Sequence, residues 1–248
     1  MSRQQHKKKK SKGRIIKNIL INLLLLIMLL IGLLLIFNNK VKDVIVEKTT
    51  EKYKVHQVTP EQIKKNEKQE DVSFDFKDVV SLDLETVVSS RFIGYQTAYT
   101  IGGIAMPEIG LNLPILKGVD NYSLIVGAGT MKEDQKMGKG NYALASHNML
   151  ERNLLFGALV NAQIGQTIYL TDLENIYVYT VTYKEYVEPT RTDLIEDHKK
   201  KTEVTLVTCD ATGANRLIVQ GEFVKKVKNK DATNDMFNAF ELETNTYK

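Results

Sequence analysis

The feature that most limits what this chain can become is the run from Ile19 to Phe37. It is apolar throughout, apart from Asn22 and Gly32. A helix that is apolar on every side has no face to turn toward water and must be buried all round. About 20 such residues cross a bilayer. Upstream lie Arg3, Lys7, Lys8, Lys9, Lys10, Lys12, Arg14 and Lys17, with no acid among them. Such a block stays on the cytoplasmic side of an inserted helix. A cleaved signal peptide has a shorter apolar core, about 7 to 15 residues, followed by a small-residue cleavage site. Leu35-Ile36-Phe37-Asn38-Asn39-Lys40 contains no such site. The run therefore reads as an uncleaved single-pass anchor, with the rest of the chain outside the cell.

The anchor divides the charge. The chain holds 34 Lys and Arg against 30 Asp and Glu, and 8 of the basic residues precede the apolar run. The chain beyond the anchor carries 26 basic against 30 acidic groups. A net-acidic ectodomain excludes a basic nucleic-acid-binding surface as its function. The single cysteine excludes an internal disulfide framework. One Cys and four scattered His supply no zinc-ligand cluster.

Five segments result: a basic cytoplasmic tail over 1–18, the transmembrane anchor over 19–37, an extracellular stalk over 38–72, one folded domain over 73–227 and a polar C-terminal tail over 228–248. The stalk is rich in Lys, Glu, Gln and Thr, and His56 within it reads as solvated. Thr59-Pro60-Glu61-Gln62 has the form of a helix start, with Pro in the first turn and Gln three residues after the cap. The apolar positions of Ser73 to Arg91 suit a helix packed on the domain. The domain itself is mainly β. Strand patterns occupy Tyr99–Met106, Ile109–Leu113, Tyr142–His147, Thr167–Leu170, Ile176–Tyr183, Glu203–Cys209 and Leu217–Val224, with Gly221 marking a bulge. Leu154, Leu155, Ala158 and Leu159 have helical spacing. Thr190 to Lys201 is a long polar connection. Many short strands with little helix point to a closed barrel or a sandwich.

Cys209 ends the strand Thr205-Leu206-Val207-Thr208-Cys209. Asp210 to Asn215 is turn material, and Arg216 opens the next strand. Pairing the two strands through that turn brings a thiol and a guanidinium to one end of a sheet. His147 closes another strand, whereas His198 sits in a lysine-rich loop. A buried space-filling thiol is the plain alternative for a lone cysteine. The combination of Cys, His and Arg at strand ends argues instead for chemistry.

Gly103-Ile104-Ala105-Met106-Pro107, Leu113-Pro114-Ile115, Ala145-Ser146-His147 and Thr205-Leu206-Val207-Thr208-Cys209 with downstream Arg216 resemble sortases of class A, the housekeeping type of Gram-positive bacteria, nearest its streptococcal-like branch. The resemblance runs from about Gly94 to Val224. It implies a closed eight-stranded β-barrel with short helices, preceded by the transmembrane helix, and makes 73–227 the catalytic domain. It implies a cysteine transpeptidase that cleaves the Leu-Pro-x-Thr-Gly sorting signal of secreted proteins between Thr and Gly. The acyl group would pass through a thioester to the amine of a lipid-linked peptidoglycan precursor. Cys209, His147 and Arg216 are then the catalytic residues. Ala145, Leu194, Ile195, Val207 and Thr208 are the candidate substrate-binding residues. Two other readings remain at this point: an L,D-transpeptidase-like cell-wall enzyme, against which Val207-Thr208 before Cys209 counts, and a non-catalytic membrane-tethered binding module.

No cofactor is expected. The calcium-activated staphylococcal members hold the ion with loop carboxylates. Here Lys132, Gln135 and Lys139 fall at the corresponding positions of Met131–Asn141. Ammonium groups repel a cation, so calcium independence is expected. Lys132 or Lys139 is instead expected to pair with Asp197 or Glu196.

Overall fold

The computed structural model describes residues 12–76, 79, 85–86, 98–149 and 154–241. Two compact units are present, one ending at Lys42 and one beginning at Asp43. In the first, helix α1 (Lys12–Ile36) contains one stretch, Gly13–Ile36, long and apolar enough to cross a membrane.

The second unit is built on ten strands: β1 (Thr100–Met106), β2 (Leu111–Leu116), β3 (Ala128–Thr130), β4 (Asn141–Ala145), β5 (Asn148–Met149), β6 (Leu154–Leu155), β7 (Thr167–Thr171), β8 (Asn175–Val187), β9 (Glu203–Cys209) and β10 (Arg216–Lys228). Eight of them close a barrel in the order β1-β2-β3-β4-β9-β10-β8-β7, while β5 and β6 form a separate small hairpin. Closure removes the free sheet edges that would otherwise recruit other chains. The pairs β2–β3 and β4–β9 are parallel. Strand residues alternate between two faces. Ile104, Leu144, Leu206, Val219 and Tyr179 belong to the main core, and Ala145, Val207 and Ile218 to a separate apolar cluster. The bulge expected at Gly221 is present, as a register shift between Gln220 and Gly221. β8 and β10 run beyond the apolar patterns that revealed them, because their ends pair with each other from Asn175–Lys228 to Val187–Arg216. The helical spacing at Leu154–Leu159 becomes β6 followed by a 3₁₀ turn, Phe156–Asn161.

The segment expected as a stalk is not one beyond Asp43. Helix α2 (Asn38–Tyr53) buries Val46, and the turn Val55–Gln57 buries Val55. Helix α3 (Pro60–Asn66) buries Ile63. The expected cap is formed, with the Gln62 N–H donating to Thr59 Oγ1 and the Thr59 N–H to Gln62 Oε1. Lys117 Nζ donates to the Glu67 and Gln69 carbonyls just past α3, and Asn66 Nδ2 donates to Thr100 O. Each short element contributes a single apolar anchor, which a composition dominated by Lys, Glu and Thr conceals. The C-terminal stretch is likewise packed up to Phe240. Helix α4 (Asn121–Val126) precedes β3, and helix α5 (Asn234–Ala239) buries Met236 and Phe237. Val55, Ile63, Met236 and Phe240 join Ala105, Ile176 and Val178 in one cluster on the barrel. His56 is not simply solvated; it lies beside Glu51 and Glu241. The helix expected over Ser73–Arg91 lies largely outside the described residues.

Candidate active site

The β-branched residues of β9 (Val204, Thr205, Val207, Thr208) favour an extended backbone, and β9 runs between β4 and β10. Ala145 of β4 lies beside Val207 of β9 in parallel register. The Ser146 N–H donates to the Val207 carbonyl at 3.2 Å, one step past the last paired residues. The same register carried two residues past the end of β4 sets His147 next to Cys209. On the other side, Arg216 is the direct partner of Cys209 across the antiparallel β9–β10 pair. Matching positions on neighbouring strands share a face. His147, Cys209 and Arg216 therefore lie on the same side as Ala145, Val207 and Ile218, on the outer wall of the barrel. All three are partly exposed.

Cys209 and Arg216 are joined by a loop whose shape is set by Asp210. One carboxylate oxygen accepts from the Thr212 N–H and hydroxyl, the other from the Asn215 N–H and side-chain amide. The Thr212 hydroxyl above all, then the Asn215 amide and the two backbone donors, hold the Asp210 carboxyl down at about 2. Gly213, at φ 78°, takes the left-handed turn position that residues with a Cβ avoid. Arg216 Nη1 donates to the Gly213 and Asn215 carbonyls. Those two bonds orient the guanidinium, and among the described residues its Nε and Nη2 donors make no hydrogen bond.

Thr208 is not presented to the outer face. It is 3% exposed, and its hydroxyl donates to Ser146 O at 2.8 Å. The hydroxyl is thus engaged with the main chain just before His147. Leu194 and Ile195 do come to the site. The long β8–β9 connection folds its 3₁₀ turn, Thr192–Ile195, onto the apolar cluster of Ala145, Val187, Val207 and Ile218. Val119, Leu124, Met131 and Val79 pack there too.

The connection is pinned by residues far from it in sequence. Asn141, 1% exposed, donates to the Leu194 and Glu196 carbonyls and accepts from the Thr205 hydroxyl. Gln220 Nε2 adds a second amide donor to Leu194 O. The usable signal was polar residues at outward positions of strands whose outer face is otherwise apolar. At the far end of the loop, His198 bonds the buried carboxylate of Glu203 and is not merely solvated. Asp197 accepts from Lys132 Nζ at 2.7 Å and from the Asn141 N–H at 3.0 Å. Lys132, then the Asn141 N–H, pull its carboxyl below the ordinary range. The expected lysine–aspartate pair thus forms. Gln135 is also engaged, bonding both the N–H and the carbonyl of Ala143.

A sortase-domain model matches residues 104–224. Sortase A of Streptococcus agalactiae is 37% identical over 217 residues, which cover 85% of this chain and 87% of that protein. The chain belongs to the sortase family, in its class A branch. Sortase A of Listeria monocytogenes is 38% identical over 207 residues, 82% of this chain and 92% of that one. The solved structure of Listeria monocytogenes sortase A superposes with a TM-score of 0.53 at 39% identity, over 58% of this sortase and 99% of that chain. The family makes this sortase a cysteine transpeptidase, which sets aside the L,D-transpeptidase and the non-catalytic module.

A cavity of about 800 Å³ in this sortase lies elsewhere, lined by Met137, Tyr142, Tyr177 and Lys226 among others. It borders the start of β4, the end opposite His147, and contains none of the candidate site residues. Among the described residues, the one group of three potential metal ligands is Glu51, His56 and Glu241. Lys54 Nζ already lies 2.9 Å from Glu51 and 2.8 Å from Glu241, so an ammonium supplies the positive charge there.

Proposed function

We propose that this sortase cleaves Leu-Pro-x-Thr-Gly sorting signals of secreted proteins between Thr and Gly and joins them to a cell-wall amine. The observation that carries this reading is the register that pairs Arg216 with Cys209 on one side and, carried two residues past Ala145–Val207, brings His147 to its other side. Cys209 Sγ, as thiolate, attacks the Thr carbonyl carbon and forms a tetrahedral oxyanion. Collapse breaks the C–N bond; His147 protonates the departing Gly amine, and a thioester remains. The amine of a lipid-linked peptidoglycan precursor then attacks the thioester and gives its proton to His147. Expulsion of the Cys209 thiolate leaves a new amide. The Nε and Nη2 donors of Arg216 hold the oxyanion, an interaction whose loss costs on the order of 100- to 1000-fold in rate. Ala145, Val207, Leu194 and Ile195 wall the Leu-Pro segment, and Thr208 shapes the backbone beneath it. No cofactor enters any step.

The test is incubation of the detergent-solubilised chain with a Leu-Pro-x-Thr-Gly peptide and an amine acceptor. Amide product that vanishes in Cys209→Ala supports the reading; product persisting in that variant overturns it. The α1 helix and the basic residues before it support a single-pass protein with the catalytic domain outside. Protease added to intact protoplasts then removes the domain and spares the N-terminus, and the reverse pattern contradicts that orientation.

A further inference from the structure

The parallel β4–β9 ladder gives out at the point where His147 and Cys209 must be held together. Its last paired residues are Ala145 and Val207, and the Ser146 N–H to Val207 O bond is the final backbone link between the two strands' ends. Two side chains continue the ladder. The Thr208 hydroxyl, from the residue before Cys209, donates to the carbonyl of Ser146, the residue before His147. Asn148, the residue after His147, donates its side-chain amide to the carbonyl of Cys209 itself at 2.7 Å. The two bonds run in opposite directions and bracket His147 and Cys209 between them.

We propose that Asn148 is a positioning residue that fixes the backbone of Cys209 relative to His147. The proposal rests on the reading of Cys209 as the nucleophile and His147 as its proton donor and acceptor. Three observations set Asn148 apart from an incidental surface amide. Its partner is the main chain of the cysteine, not a neighbouring loop. Among the described residues its Oδ1 is buried with no hydrogen-bond partner, so the amide engages the site through its donor alone. Its own backbone is fixed, since Asn148 pairs with Leu155 in the β5–β6 hairpin and the Phe156 N–H donates to the carbonyl of His147. Asn148 is thus anchored to one side of the site while gripping the other. The Cys209 carbonyl lies where β9 leaves its ladder with β4 and enters the Asp210 turn. Without the amide, that carbonyl loses its tie to the histidine side. A displacement of about 1 Å between reacting groups costs on the order of 100-fold in rate.

Asn148→Leu keeps the volume and removes the donor, and Asn148→Asp keeps the shape and removes the donor at neutral pH. Both are assayed in the full-length chain with a fluorogenic Leu-Pro-x-Thr-Gly peptide, beside Cys209→Ala. The expected result is a fall in kcat of about 10- to 100-fold in both variants. KM for the peptide stays within about twofold and the thermal midpoint within about 3 °C, since the apolar cluster that walls the peptide and the barrel core do not include Asn148. A kcat within about twofold of wild type in both variants, or a loss of rate matched by an equal loss of folded protein, overturns the proposal. The control separates the two claims. Inactive Cys209→Ala with fully active Asn148→Leu refutes the role of Asn148 alone, whereas active Cys209→Ala refutes the nucleophile assignment beneath it.

Discussion

Removing the side chain of Asn141 tests whether the long β8–β9 connection is held as the geometry indicates. Its amide makes two donations, to Leu194 O at 2.9 Å and to Glu196 O at 3.1 Å, and its Oδ1 accepts from Thr205 Oγ1 at 2.7 Å. In Asn141→Ala the Leu194 carbonyl still has Gln220, and the Thr205 hydroxyl still reaches Leu194 O at 3.3 Å. Glu196 O loses the donor that Asn141 supplied. A buried polar group left unsatisfied costs about 1–3 kcal/mol and an ordinary hydrogen bond about 1 kcal/mol. Glu196 is exposed and its carbonyl can turn to water, so the loss is counted as the three hydrogen bonds of Asn141 at about 1 kcal/mol each, about 3 kcal/mol together. In a domain of this size about 1 kcal/mol moves the thermal midpoint by roughly 2–4 °C, so the expected drop is about 6–12 °C. The functional effect falls on substrate binding. A loosened turn no longer holds Leu194 and Ile195 against Val207, and KM for the sorting peptide rises about tenfold while kcat changes less. Thermal unfolding by circular dichroism and steady-state kinetics read the two effects. A midpoint within about 2 °C of wild type together with an unchanged KM refutes the pinning argument.

A chain truncated to begin at Asp43 keeps its stability, whereas one beginning at Ser73 unfolds at much lower denaturant, because it loses buried Val46, Val55 and Ile63 at about 1.5–3 kcal/mol each before chain entropy is counted; equal midpoints contradict the packing of 43–66. Arg216→Lys loses most of the transpeptidation rate although the charge is kept, since an ammonium cannot hold two loop carbonyls with one nitrogen and present a planar fork with the rest; near-normal turnover shows a purely electrostatic role. Transpeptidation in excess chelator equals that in millimolar calcium, because Lys132 already neutralises Asp197; a several-fold rise with calcium contradicts this. Breaking that exposed pair by Lys132→Ala costs about 0–1 kcal/mol, a small effect on the melt.

A mainly β domain was legible in the sequence because β-branched runs, prolines and glycines mark strands locally. The closed barrel followed from the sortase resemblance, and the ends of β2, β8 and β10 are set by pairing that no local pattern shows. Cys209, Arg216 and His147 stood out as strand-end residues of unusual chemistry, and the bulge at Gly221 and the cap at Thr59 came from local rules. The packing of 43–66 was not legible, because Val46, Val55 and Ile63 are single apolar residues spread over three short elements. The same holds for Met236 and Phe240 in a stretch that looks like a polar tail. Asn141, Asn148 and Gln220 act through partners 15 to 64 residues away, so no window of sequence contains both ends of their bonds. The bond from the Thr208 hydroxyl to Ser146 O also spans two strands and is invisible in any local window.

In the proposed reaction Cys209 carries the acyl group. Intact-mass spectrometry of the full-length chain, quenched in acid after brief mixing with a Leu-Pro-x-Thr-Gly peptide and no acceptor amine, tests it most directly. The expected result is a covalent adduct equal to the peptide up to its Thr residue, mapped to Cys209, released by hydroxylamine and missing in Cys209→Ala. Cleavage of the peptide with no adduct at Cys209, or an adduct that persists in Cys209→Ala, contradicts the account.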